Sequence, residues 1–203
     1  MLLGAKVVSR LITKTKSKKA LITRTREHAI LCFHDVSNGF EPPPLEIPAA
    51  SGPSSSNYHI SVETIYKSLV PFGPSYHNLK DGVTISDKGA MGAVYAPSSG
   101  DPAGLLGSPF PLDAAFHAAC VWGQRYAGLV GFPVGFALRR LFSPTRPENA
   151  YIAGIFPKEV HSDRFLVDIW ISDMAGVFQE AVLDVVMKDV SGGRMKPPSW
   201  ILS

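Results

Sequence analysis

The sequence predicts an α+β protein in which a mostly antiparallel sheet wraps around one long, buried helix. The helix is indicated over residues 111–126 by apolar side chains at helical spacing: Leu112, Ala115, Phe116, Ala119, Trp122 and Tyr126. Ala114, Ala118 and Cys120 leave little polar surface elsewhere, which is typical of a helix buried on most sides. Four strand-like segments follow: 135–142, 151–156, 165–172 and 177–187. A buried helix beside such a run of strands favours the α+β class.

The composition is that of a folded protein. The chain has 203 residues, of which 45% are hydrophobic and 18% are charged. These values exclude intrinsic disorder as the main state, and the length fits one large domain or one domain with part of another. Its two cysteines, Cys32 and Cys120, lie far apart, and neither belongs to a Cys-x-x-Cys motif. They predict two reduced thiols rather than a disulfide scaffold or a structural zinc site.

The sequence contains no clear membrane or export signal. No apolar run reaches the roughly 18 residues that a membrane-spanning helix needs, because charged residues interrupt each candidate. Lys6 and Arg10 break the apolar stretch of the first twelve residues, so these make a poor secretory signal. We therefore expect a cytoplasmic protein without a membrane span.

Residues 1–40 are expected to form a basic strand hairpin. Within residues 1–28, eight lysines and arginines accompany a single acidic residue, Glu27, and the rest of the chain is net negative. Apolar residues alternate with the polar ones over 6–14 and 20–33, which places the basic side chains on a solvated strand face. The alternative is a nucleic-acid or membrane-surface patch, which the absence of interleaved aromatic residues disfavours.

A segment rich in proline and serine, residues 41–57, is expected to link this hairpin to a larger block over residues 58–190. Residues 191–203 are expected to form a C-terminal tail. The larger block opens with a helix that Pro71 ends. Ser61 is a suitable N-cap for it, and apolar residues follow at amphipathic spacing: Val62, Ile65, Tyr66 and Leu69. Two strand-like segments come next: 83–86 and 90–96.

Asp113 and His117 are the candidate chemical groups of the long helix. They stand four residues apart, hence on one helical face, and Asp113 lies in the first turn, where the helix dipole favours a carboxylate. An ionisable residue on a nearly all-apolar helix is costly to bury without a partner. One interpretation is structural, with Asp113 capping the helix and His117 donating to a backbone carbonyl. The other is general acid/base chemistry, for which an apolar setting shifts pKa values.

Two motifs carry a resemblance to a known family. The first reads Phe72-Gly73-Pro74-Ser75-Tyr76, and the second runs Ser108-Pro109-Phe110-Pro111-Leu112-Asp113, with His117 four residues further on. They resemble the C-terminal hot-dog half of dehydratase domains of polyketide synthases and polyunsaturated fatty acid synthases. The family's motifs usually read Tyr-Gly-Pro-x-Phe and His-Pro with a later Asp-x-x-x-Gln or Asp-x-x-x-His. Phe72 and Ser108 depart from this pattern. With an Asp-x-x-Gly turn at 173–176, the resemblance covers residues 58–190.

The resemblance implies a hot-dog fold and a β-hydroxyacyl thioester dehydratase. In that family Asp113 would be the general acid that protonates the departing hydroxyl, and His117 would hold it by a hydrogen bond. Substrate-binding residues would come from both motifs: Phe72, Gly73, Pro74, Tyr76, Pro109, Leu112 and Phe116. No bound cofactor is implied, since the substrate is carried on the phosphopantetheine of an acyl carrier protein, the expected partner.

The family's catalytic base is a histidine in a His-x-x-x-Gly-x-x-x-x-Pro motif of the first hot-dog half, which this sequence lacks. Residues 6–36 resemble only the final hairpin of that half. The remaining histidines (His28, His59, His77 and His161) lie in no motif and are expected to be ordinary surface or hydrogen-bonded residues. The enzyme hypothesis therefore requires the missing half or a homodimer mate. The alternatives are a non-catalytic hot-dog module that binds carrier-tethered acyl chains and, more weakly, a nucleic-acid-associated protein.

Overall fold

Residues 3–14, 21–33, 57–98, 104 and 106–203 are described by a computed structural model of the chain. The chain divides into two compact units, Met1–Pro43 and Pro44–Ser203, and each is described by itself. The strands are β1 (Leu3–Lys14), β2 (Leu21–Phe33), β3 (Tyr58–Ile60), β4 (Leu79–Ser86), β5 (Gly89–Tyr95), β6 (Phe132–Gly135), β7 (Leu138–Leu141), β8 (Ala150–Val160), β9 (Arg164–Asp173) and β10 (Phe178–Lys188). The helices are α1 (Val62–Thr64), α2 (Phe110–Trp122) and α3 (Ser199–Leu202).

The first unit contains the expected hairpin. β1 and β2 pair antiparallel from Leu3 opposite Phe33 to Lys14 opposite Leu21, with one irregularity between Val7 and Val8. The turn expected at 16–19 lies outside the described residues, as does all of the expected linker except residue 57.

The second unit is an antiparallel sheet with α2 packed against it, as predicted. The strand order is β3-β4-β5-β8-β9-β10-β6, and β7 also pairs with β10. Side chains of β9 alternate between the two faces of the sheet. Phe165, Val167, Ile169 and Ile171 are fully buried and belong to the same core cluster as the helix residues, because strand side chains at i and i+2 share a face.

α2 is buried on nearly all sides. Of its thirteen residues, the three that are not buried are Phe110, Asp113 and Phe116. At spacings of three residues they form one narrow strip along the helix. The alanines on its other sides let the helix lie close to the sheet, and the strip leaves Asp113 between two aromatic side chains.

α2 continues as a π-helical turn, Gly123–Ala127, that fixes its position. Trp122 Nε1 donates to the Ser86 carbonyl of β4 at 2.9 Å. Gln124 Nε2 donates to the Leu69 carbonyl, also at 2.9 Å. Leu69 ends the π-helical turn Ile65–Leu69 that continues α1. The first bond ties the end of α2 to β4, and the second places the α1 segment beside the π-helical turn that continues α2.

Three local features differ from the sequence-based expectations. The prediction of one strand over 135–142 is wrong. Two shorter strands, β6 and β7, lie there instead, and each pairs with β10. The chain leaves the ladder between them, where Ala137 N donates to the Leu183 carbonyl and β10 itself is irregular between Val182 and Val185. β3 and α3 were not expected. In α3, Ile201 is buried, and its carbonyl accepts a bond from Arg125 Nη1 at 2.8 Å.

No helix among the described residues is long and apolar enough to cross a membrane.

Candidate active site

Asp113 lies in the first turn of α2, on the narrow exposed strip. Its side chain is 38% exposed overall, but the Oδ2 atom is sealed from solvent and has no hydrogen-bond partner among the described residues. The nearest polar neighbour of Oδ2 is His117 Nε2, one helical turn further on, at 3.6 Å. This leaves Oδ1 as the carboxyl oxygen that a substrate can reach.

His117 lies behind Asp113 and is 4% exposed. Its Nδ1 is 3.3 Å from the Tyr66 hydroxyl. Its ring meets the Tyr66 ring edge-on at 5.7 Å and the Phe72 ring at 5.2 Å, both measured between ring centroids. Nδ1 of this buried side chain therefore contacts Tyr66, and Nε2 faces Asp113 at a distance longer than a hydrogen bond.

Tyr66, in the π-helical turn after α1, is a site residue that sequence reasoning assigned only to the apolar face of a helix. Its hydroxyl accepts the Leu79 N–H at 3.1 Å and lies 3.2 Å from the Tyr76 carbonyl, besides its contact with His117. The helix periodicity placed Tyr66 on the inward face, but it could not show that the hydroxyl meets His117, because the contact joins residues 51 positions apart.

His77 is the second residue that sequence reasoning missed, since it was expected to be an ordinary histidine. Its ring stacks on that of Tyr66, with centroids 3.9 Å apart and an interplanar angle of 11°. Its Nε2 donates to the Phe72 carbonyl at 2.8 Å. The one available signal was its position directly after the Phe72-to-Tyr76 motif. The stack packs His77 against the face of the Tyr66 ring.

Burial sets the charge state of the site. It raises the pKa of the Asp113 carboxyl above its ordinary range, because desolvation disfavours the carboxylate. Burial, with a smaller contribution from nearby His77, lowers the pKa of His117 to about 4. His117 is therefore neutral at pH 7, and its approach to Asp113 is a contact between a neutral imidazole and a carboxyl group rather than an ion pair. Burial also raises the pKa of Tyr66.

The expected substrate-binding residues occupy different environments. Phe72 and Tyr76 are exposed, with ring centroids 6.1 Å apart, and Phe72 contacts His117. Between them, a methyl group on Gly73 would meet no atom within 4 Å, so the Pro74–Tyr76 turn leaves open space. The first motif and the Asp113 and His117 pair thus come together at one place.

The second motif divides between the helix strip and the core. Phe116 is partly buried on the strip beside Asp113, together with Phe110, which the sequence analysis did not select. Leu112 lies within the hydrophobic core cluster, and Pro109 is exposed at the N-cap of α2. Ser108 is buried and exchanges hydrogen bonds with Thr145, which anchors the start of the helix. The described residues include no group of three His, Cys, Asp or Glu side chains that could hold a metal ion.

Comparison of the sequence with protein-family models gives no match, and comparison with curated proteins gives none either. Solved structures do match. A structure concerning dehydratase substrate selection for the borrelidin and fluvirucin polyketide synthases is 18% identical at a TM-score of 0.63, with 95% of this chain and 67% of that chain covered. The dehydratase domain of RzxB from Pseudomonas fluorescens is 12% identical at a TM-score of 0.55, with 93% and 68% covered.

A trans-AT polyketide synthase dehydratase domain from Brevibacillus brevis is 14% identical at a TM-score of 0.57, with 92% of this chain and 66% of that chain covered. The fold is therefore the hot-dog fold, as expected. More particularly, it is the hot-dog arrangement seen in polyketide synthase dehydratase domains. The chain spans about two thirds of the length of these three structures.

Proposed function

We propose that this chain is the acid-bearing part of a dehydratase that removes water from a carrier-bound β-hydroxyacyl thioester. The observation that carries the proposal is the geometry of Asp113: one carboxyl oxygen is sealed against neutral His117, and the other faces outward from a strip of aromatic residues. The hot-dog fold shared with dehydratase domains supports it.

The reaction removes a proton from the carbon next to the thioester and expels the β-hydroxyl group. Hydroxide is a poor leaving group, so a positioned acid must protonate it as the carbon–oxygen bond breaks, and the product is the α,β-unsaturated thioester plus water. Asp113 suits this role because burial favours its protonated form at a pH where a free aspartic acid is ionised. Phe110 and Phe116 flank it and offer apolar contact to an acyl chain.

The base is proposed to come from a His-bearing first hot-dog half, whether in the same polypeptide or on another chain. In the described site His117 faces the acid and has a depressed pKa, and the ring of His77 is occupied by its stack on Tyr66. Neither is placed to remove a proton opposite Asp113. We also propose that the substrate arrives on the phosphopantetheine of an acyl carrier protein, whose acidic surface would be attracted by the basic residues 1–28.

The test combines this chain with a His-bearing first hot-dog half and measures conversion of a 3-hydroxyacyl pantetheine thioester to the enoyl thioester. We expect conversion with both parts and none with either part alone. Binding of the thioester without conversion in the combined sample would favour the alternative, a hot-dog module that holds carrier-tethered acyl chains. Conversion by this chain alone would contradict the proposed source of the base.

A further inference from the structure

The Tyr66 hydroxyl has one proton and two possible acceptors. One is the Tyr76 carbonyl at 3.2 Å, and the other is Nδ1 of His117 at 3.3 Å. The hydroxyl oxygen already accepts the Leu79 N–H at 3.1 Å. Where the hydroxyl proton points therefore decides which nitrogen of neutral His117 carries hydrogen, because a neutral imidazole has one donor and one acceptor.

If Tyr66 donates to the Tyr76 carbonyl, Nδ1 of His117 must donate to the Tyr66 oxygen. Nε2 is then a bare acceptor that faces Oδ2 of Asp113. This arrangement is favourable only when the carboxyl proton lies on Oδ2, the sealed oxygen, where it cannot reach a substrate.

If Tyr66 donates to Nδ1, the hydrogen of His117 lies on Nε2 and points at Oδ2. A proton on the carboxyl group is then placed on Oδ1. The distance from Nε2 to Oδ2, 3.6 Å, exceeds that of a formed hydrogen bond. Catalytic hydrogen bonds are often this long without substrate and shorten in the complex.

Two observations favour the second arrangement. The Tyr76 carbonyl already accepts the Asn78 N–H at 2.9 Å, so it does not depend on Tyr66. By contrast, Tyr66 is the polar partner that the described residues offer to Nδ1, and Oδ2 of Asp113 is a buried oxygen that needs a donor. Both arrangements give Nδ1 a partner, but only the second offers Oδ2 a donor whether or not the carboxyl group is ionised.

We propose that Tyr66 is a positioning residue: its hydroxyl fixes His117 as the Nε2–H tautomer and so places the acid proton of Asp113 on Oδ1. The Leu79 N–H polarises the hydroxyl from behind, and the His77 ring holds the phenol plane by stacking. The titratable side chains that act on His117 in this site are Asp113, Tyr66 and His77. The role of the Oδ1 proton in dehydration rests on the proposed function, but the tautomer of His117 does not.

The test is nitrogen NMR of the chain labelled with 15N-histidine at neutral pH, where the two ring nitrogens give separate signals for each tautomer. We expect His117 to show a protonated Nε2 and a bare, hydrogen-bonded Nδ1. In Tyr66→Phe the Nδ1 signal should shift downfield, because the nitrogen loses its donor. Tyr151→Phe is the matched control, since its hydroxyl likewise accepts a backbone N–H, that of Arg146, and its removal should leave the His117 signals unchanged.

A protonated Nδ1 in the unaltered chain would overturn the inference, as would an unshifted Nδ1 signal in Tyr66→Phe. The first result needs no variant, so it decides the question even if Tyr66→Phe folds poorly. Neither spectrum depends on turnover. The expected tautomer, together with no dehydration when a His-bearing first half is present, would therefore contradict the proposed function alone, whereas a protonated Nδ1 would overturn the role of Tyr66 even in an active dehydratase.

Discussion

At the scale of single residues, the site depends on how much each polar side chain is shielded from water. Asp113 and His117 were predicted from the sequence because both lie on one helix, where a spacing of four residues defines a shared face. Tyr66 and His77 were not predicted as site residues, because their contacts depend on how the α1 segment packs against α2. That packing is set by long-range hydrogen bonds such as the one from Gln124 to Leu69.

The depressed pKa of His117 predicts a specific loss of stability in acid. Its pKa is about 4 in the folded chain, against 6.5 for a histidine in water, so the unfolded chain takes up the proton first as the pH falls. The free energy of unfolding should therefore decrease between pH 7.5 and pH 4, by about 3 kcal/mol from this group. His117→Gln removes the titration and keeps an amide that can face Asp113.

Urea unfolding of both proteins at the two pH values checks this prediction. The unaltered chain should lose more stability than His117→Gln by about this amount. Parallel losses would show that His117 is not a buried neutral histidine.

At the scale of elements, β9 and β10 begin and end within one residue of the predicted segments, and α2 with its π-helical turn covers the predicted helix, because these patterns are long. β8 contains the predicted segment 151–156 but runs on to Val160. The short elements agree less well with the sequence pattern. β6 and β7 have four residues each, so their boundary depends on the irregular ladder of β10 rather than on their own pattern. The buried Glu180, which pairs with Arg139 at 2.5 Å beneath this region, was also beyond prediction, since its partner comes from another strand.

The close packing of α2 on the sheet makes Gly123 sensitive to substitution. A methyl group there would lie 2.3 Å from ring atoms of Phe165, a fully buried side chain, so the ring or the helix would have to shift. Gly123→Ala should lower the free energy of unfolding by roughly 1–3 kcal/mol, although alanine is the better helix former. Gly135→Ala is the control, because a methyl group there meets no atom within 4 Å. Chemical denaturation measures the free energy of unfolding of both variants and of the unaltered chain. If Gly123→Ala is as stable as the unaltered chain, or more stable, this packing is contradicted.

At the scale of the whole molecule, the hot-dog sheet ends in short strands with exposed apolar residues. β6 is the last strand of the sheet order, and Val134 on it is 53% exposed. An unpaired strand edge with apolar side chains favours pairing with another chain. We expect a dimer, or a tight complex with a first hot-dog half, at micromolar concentration.

Val134→Lys should weaken this association, because charge on an edge strand opposes pairing. Val160→Lys is the control, since Val160 is 52% exposed but belongs to β8, inside the sheet order. Sedimentation of the unaltered chain and the two variants measures how strongly each one associates. A monomer for the unaltered chain, with or without a first half, would contradict the expectation.

The role of Asp113 as the acid is tested most directly by the turnover of Asp113→Asn in the dehydratase assembled from this chain and a His-bearing first half. Asparagine keeps the shape of the side chain but has no transferable proton, so turnover of a 3-hydroxyacyl thioester should fall by roughly a hundredfold or more. Asp163→Asn, an exposed aspartate beside Lys188, is the control and should be unaffected. If Asp113→Asn instead turns over as fast as the unaltered chain, Asp113 is not the acid of this dehydratase.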